Sequence, residues 1–281
     1  MSTTTAAAAG TLPSAAPAPA AVPFVRGARV VFDLSLESML WSRRSVFMGA
    51  LYVLPPLFGL FYRMVLAAHL PVRITPSDLF GVVVAYYFLW FALPLTALFY
   101  ATALVADEVE ARTITYLLTR PVSRTAILAG KFAAYLGTTL SLALPSLVLT
   151  FFLVLTRQGR RGLAIGAPDL VRDLGVVALA LLAYGALFAF IGVLLRWPLI
   201  TGLLFLYGWE WLSQAPGWAP RVTLRAWLAS LHRHHAVGEG LSQVSQALPV
   251  VPGLIVLVVS SILFVSLAGW IFSQRQYVLD Q

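Results

Sequence analysis

ADEVEARTITYLLTRPVSRTAILAGK, residues 106–131, is a charged island between two long uncharged runs. Asp107, Glu108 and Glu110 open it, and Arg112, Arg120, Arg124 and Lys131 follow. The run before it, 79–106, and the run after it, 132–156, hold no Asp, Glu, Lys or Arg. About 20 apolar residues suffice for a helix to cross a hydrocarbon core of roughly 30 Å. Both runs exceed that, so the island reads as a hydrophilic loop joining two bilayer crossings. Helices are the economical way to cross, because each helix closes its own backbone hydrogen bonds away from water.

Composition agrees. The 281 residues are 60% hydrophobic and 11% charged, where a soluble domain carries about 25% charged residues. Mean hydropathy is +0.87. The net charge of +8 rests on arginine, since Lys131 is the only lysine. In such a chain basic residues serve membrane-flanking loops and lipid headgroups. No basic run is interleaved with aromatics, so nucleic acid is not expected as a partner and membrane lipid is. The absence of cysteine excludes disulfides and thiolate chemistry.

Working outward, the expected fold is all-α and polytopic, with six transmembrane helices over about 45–68, 79–106, 125–156, 174–195, 197–212 and 247–272. The fifth is the weakest, being short and containing Glu210. Residues 1–25 are rich in Ala and Pro and read as a disordered tail, ahead of a membrane domain over 26–281. Residues 27–44 carry a loose apolar stripe (Val31, Leu34, Leu36, Met39, Leu40, Trp41) and read as an N-terminal interfacial helix. Residues 213–246 form an outer loop. Pro55, Pro56, Pro94 and Pro145 fall inside spans, each removing one backbone donor. Four arginines precede the first span, and two, Arg63 and Arg73, lie around its far end. That imbalance favours a cytoplasmic N-terminus, and with six spans the C-terminus lies on the same side.

Within the loop 107–124, the acids sit where a helix N-terminus favours negative charge. Ile114, Tyr116, Leu117 and Leu118 form an apolar patch, Arg120–Pro121 stops the helix, and Ser123 is placed to cap the next one. The reading is a short cytoplasmic helix able to dock on a partner.

This order of acids, Thr113, Leu117–Leu118, Arg120–Pro121–Val122–Ser123–Arg124 and Gly130–Lys131 resembles the loop after the second span of type-2 ATP-binding-cassette (ABC) permeases, the exporter and copper-site-maturation group. The sequence departs from that pattern at Arg112, where the family has glycine. The resemblance implies a permease subunit of a bacterial cytoplasmic (inner) membrane, with both termini cytoplasmic. Its coupling helix would sit on a separate cytoplasmic ABC ATPase that carries the ATP and Mg, leaving no cofactor on this chain. It further implies a dimer with a second permease copy or a paralogue, and export of an unidentified substrate. Glu108, Glu110, Arg120 and Arg124 would pair with the ATPase, Leu117 and Leu118 would anchor the helix, and Asp107, Arg112, Thr113 and Pro121 complete the coupling set. One fact fits independently. A phosphate-binding P-loop needs Gly-Lys-Ser/Thr, and Lys131 is followed by Phe132.

Two other features invite chemistry. Glu210, in YGWEWL, is the one acid expected within the hydrocarbon layer, and such residues line substrate paths. His232 and His235 at i, i+3 are too few for a metal site, and no metal is expected. An intramembrane enzyme acting on lipid through Glu210 or these histidines, and a non-transporting membrane anchor, are the competing classes.

Overall fold

The computed structural model describes residues 23–69, 74–104, 123–156, 159–232 and 248–274. Every regular element among them is helical. Helix α1 is Phe24–Leu40 and α2 is Arg43–Ala67. The next span, Pro76–Ala101, joins α3 (Pro76–Val82), a π-helical segment (Val83–Ala92) and α4 (Leu93–Ala101). Then come α5 (Arg124–Leu155), α6 (Gly159–Leu194) and α7 (Pro198–Tyr207). Two 3-10 turns, Trp209–Gln214 and Ala219–Val222, lead to α8 (Leu224–Leu231), and α9 is Val250–Gln274.

Five of the described helices are long and apolar enough to cross a membrane: α2, the Pro76–Ala101 span, α5, α6 and α9. Contacts fix which ends lie together. Arg124 donates to the Ser273 carbonyl at 3.3 Å, and Lys131 Nζ donates to the Leu104 carbonyl at 2.8 Å. A Cβ on Gly192 would meet the Thr102 carbonyl at 2.7 Å. The Ser45 hydroxyl meets the Tyr100 hydroxyl. The start of α2, the end of α4, the start of α5 and the ends of α6 and α9 therefore share one end of the bundle.

That arrangement returns the chain between α6 and α9 to the opposite end of the bundle. Helix α6 finishes at the shared end, whereas α9 starts at the opposite one, where Gly253 lies against Trp227 and Ser230. The segment expected as one helix over 197–212 is instead broken. α7 is only ten residues long and runs beside α6, with the Phe205 and Phe188 rings 6.3 Å apart. α8 continues along α6 until His232, just past its end, meets Asp173 at 3.3 Å. At 1.5 Å per residue the two pieces measure about 15 and 12 Å, together close to the roughly 30 Å hydrocarbon thickness. The break follows from Gly208 and from Pro216 and Pro220 in the link, residues that interrupt helical hydrogen bonding.

The prolines of α2 are answered from outside the helix. Pro55 and Pro56 have no N–H for the carbonyls of Leu51 and Tyr52, four residues back. The Tyr87 hydroxyl donates to Leu51 O at 2.6 Å, and the Ser146 hydroxyl donates to Tyr52 O. In lipid these bonds matter, because no water is at hand to take their place. Pro94 likewise withholds a donor from Trp90, and upstream of it the helix widens, with Leu93 N–H bonding Phe88 O five residues back.

The helix expected over 27–44 divides at Trp41–Ser42. Ser42 accepts from Ser45 N–H at 3.2 Å and so begins α2 at Arg43, giving Arg43 and Arg44 to the first span. α1 runs alongside the first half of α5. Gly130 admits it: a Cβ there would lie 2.4 Å from the Ala28 carbonyl and 2.9 Å from Val31 Cβ.

Candidate functional site

Of the expected coupling residues, Asp107, Glu108, Glu110, Arg112, Thr113, Leu117, Leu118, Arg120 and Pro121 lie outside the described residues. The flanks of that segment are described, and they are tied together. Ser123 caps α5, accepting from Ala126 N–H at 3.3 Å. Arg124 reaches the end of α9 through Ser273. Lys131, two turns into α5, is buried and donates to the Leu104 carbonyl, just before residue 105. The Gly130–Lys131 pair thus has a local physical role: glycine admits α1, and lysine joins the stretch just after α4 to α5.

From this end, α4 leads through the π segment to the middle of the bundle. There Trp90 lies beneath the Arg225 guanidinium, 4.5 Å from its ring centroid. Arg225 is the second residue of α8, and its backbone N–H donates to Glu210 at 3.0 Å. The other Glu210 oxygen accepts from Leu224 N–H at 3.2 Å, while Thr223 accepts from Ala226 N–H at 3.3 Å. The first three donors of α8 are therefore all taken. Glu210 is fully buried and faces Tyr184 of α6 together with Arg225. Its carboxylate joins the 3-10 turn after α7 to the start of α8, holding the two half-helices in register.

Glu210 was legible as an intramembrane acid, and the structure engages its oxygens with backbone donors. His232 lies against Asp173, a fully buried acid of α6, and His235 falls outside the described residues. Among the described residues no group of three or more His, Asp or Glu is placed to hold a metal. Sequence reasoning missed Trp90, Arg225 and Asp173. A Thr directly before LRAWLASL was a readable cap signal for α8, but it does not say what stacks on the arginine.

The flanks of the 105–122 segment are thus tied together at one end of the bundle, and the turn after α7 is joined to the start of α8 through Glu210. The family described as ABC-2 family transporter protein matches residues 5–276. The chain belongs to the ABC-2 transporter family. It is a multi-pass membrane permease of an ATP-binding-cassette transporter, as the 106–131 pattern implied. Comparison with curated proteins gives no match. In the ABC-2 permease, Lys131 ties together the two flanks of the 105–122 segment, and Trp90, Arg225 and Glu210 form one connected chain.

Proposed function

We propose that this ABC-2 permease takes ATP-driven motion from a separate cytoplasmic ATPase through loop 107–124 and passes it to the broken crossing, exporting its substrate. The Lys131–Leu104 bond supports this reading most directly, because it ties the stretch before the 105–122 segment to the helix that follows it. A displacement of the loop would travel along α4 and the π segment to Trp90, and from Trp90 through Arg225 to the Glu210 joint. Widened π turns concentrate at functional positions, and a joint between half-helices can tilt with little loss of packing. In this reading Glu108, Glu110, Arg120 and Arg124 pair with the ATPase, and Leu117 and Leu118 anchor in it. ATP and Mg belong to that partner. The working unit contains two permease copies, or this chain and a paralogue, in a bacterial cytoplasmic membrane with both termini inside.

The test reconstitutes the permease with an ABC ATPase that co-purifies with it. Alanine at Glu108, Arg120 and Arg124 should abolish co-purification and stimulated ATP hydrolysis while leaving the permease folded. Retained association and stimulation in the triple variant would sink the proposal. Loss of association with no measurable substrate flux in the wild type would point to a membrane anchor instead.

A further inference from the structure

At the loop end of the bundle, outside the relay just described, a groove of about 500 Å³ opens between α2, α4 and the α6–α7 turn. Arg43 and Arg44 enter it from the start of α2, and Arg196 from the turn. All three are exposed. Its walls are apolar and aromatic, including Phe47, Phe99 and Trp197. No acidic residue lines it among the described residues.

We propose that this groove binds the headgroup of an anionic phospholipid, with an acyl chain lying along α7. The arginines come from positions some 150 residues apart in sequence and converge on one cavity, which simple scattering of positive charge along loops does not require. Guanidinium groups present planar forks that match phosphate oxygens. The groove also sits where α2 and α7 begin their crossings, at headgroup depth, with Trp197 as an interfacial aromatic. Beyond the arginines, Phe47, Ile200 and Leu204 are 66%, 53% and 68% exposed, an apolar track pointing into the bilayer. A soluble phosphate would use the cations but not this track, so the occupant is a lipid. Thr102 and Ala103 line the same groove, so a bound lipid would touch α4 just before the loop segment. Which leaflet supplies the lipid depends on the coupling orientation proposed above. The headgroup chemistry does not.

The test uses the purified full-length permease in uncharged detergent and needs no ATPase, so its failure is separable from failure of the coupling reading. Phosphatidylglycerol and phosphatidylcholine with brominated chains are titrated, reading the quenching lost on Trp197→Phe. Phosphatidylglycerol should bind tightly enough to quench at low mole fraction, and phosphatidylcholine should not. At about a fivefold loss per arginine near a charged lipid surface, Arg196→Gln should weaken binding about fivefold and the triple Arg43→Gln, Arg44→Gln, Arg196→Gln variant about 100-fold. Arg196→Lys should keep most of the affinity, and raising the salt concentration should weaken wild-type binding. These two arms carry the test even if the triple variant does not fold. Equal binding of the two lipids, salt-insensitive binding, or displacement of the lipid by inorganic phosphate would each overturn the proposal.

Discussion

Lys131 Nζ donates a 2.8 Å hydrogen bond to the carbonyl oxygen of Leu104, across 27 residues of sequence. The lysine is 8% exposed, and Leu104 is the last described residue before the 105–122 segment. The bond therefore ties together the residues on either side of the 105–122 segment.

Replacing Lys131 with methionine keeps the alkyl stem and removes the donor. A buried carbonyl left without its charged partner costs about 1–3 kcal/mol, so thermal unfolding in detergent should shift to lower temperature. ATPase stimulation should fall much further than stability does, since α4 and α5 would no longer move together. Lys131→Arg, which can still donate, should recover part of both. A methionine variant with wild-type stimulation would show that the bond only fastens the fold.

The proline carbonyls of α2 give a second test. Tyr87→Phe removes the donor to Leu51 O, with an expected loss of about 1 kcal/mol, and somewhat more if the carbonyl stays dry. In a Pro55→Ala background, residue 55 regains an N–H for Leu51 O, and the same Tyr87→Phe change should cost clearly less. A double-mutant cycle in unfolding free energy measures that coupling, expected at about 0.5–1 kcal/mol. Additive effects would mean that the tyrosine hydroxyl does not replace the missing amide.

Glu210 permits a clean separation of roles. If its main task is to hold the first turn of α8, Glu210→Ala strands one buried and one partly buried N–H group and should destabilise by about 2–5 kcal/mol. Glu210→Gln keeps one acceptor and should fall between alanine and wild type. Thr223→Ala removes the third partner of the same turn and should cost about 1 kcal/mol. A residue serving only a substrate path would change transport and leave unfolding where it was.

Much of this architecture was readable from residue order. Long uncharged runs on both sides of 106–131 located two crossings, because lipid tolerates almost no charge, and Ser123 before an apolar run announced the start of α5. The broken crossing was legible only as a weakness: a short run holding one acid. Hydropathy sums over a window and does not register a helix that stops midway and resumes after 16 residues of turn. Trp90 over Arg225 is invisible for a different reason. The two are 135 positions apart in sequence, and the widened turns before Pro94 set the orientation of the indole, which helical periodicity cannot supply. The same holds for Asp173, which stands next to the span expected at 174 and reads as a boundary residue until His232 is folded against it.

The relay through Trp90 gives the last prediction. A cation over an indole contributes about 0.5–2 kcal/mol, the larger value when water is excluded. Arg225 is 8% exposed, so Trp90→Leu should bring a modest loss of stability near the upper part of that range. If the stack carries motion from α4 to the half-helix joint, the variant should still bind the ATPase and hydrolyse ATP, yet transport less substrate per ATP. Trp90→Phe keeps an aromatic face with a weaker quadrupole and should lie between. The permease contains no cysteine, so single cysteines at 107–124 and beside Glu210 can be labelled without background. Nucleotide addition should change labelling at both places in the wild type, and only in the loop of Trp90→Leu. Unchanged labelling near Glu210 in the wild type would mean that the centre of the bundle does not respond to the loop at all.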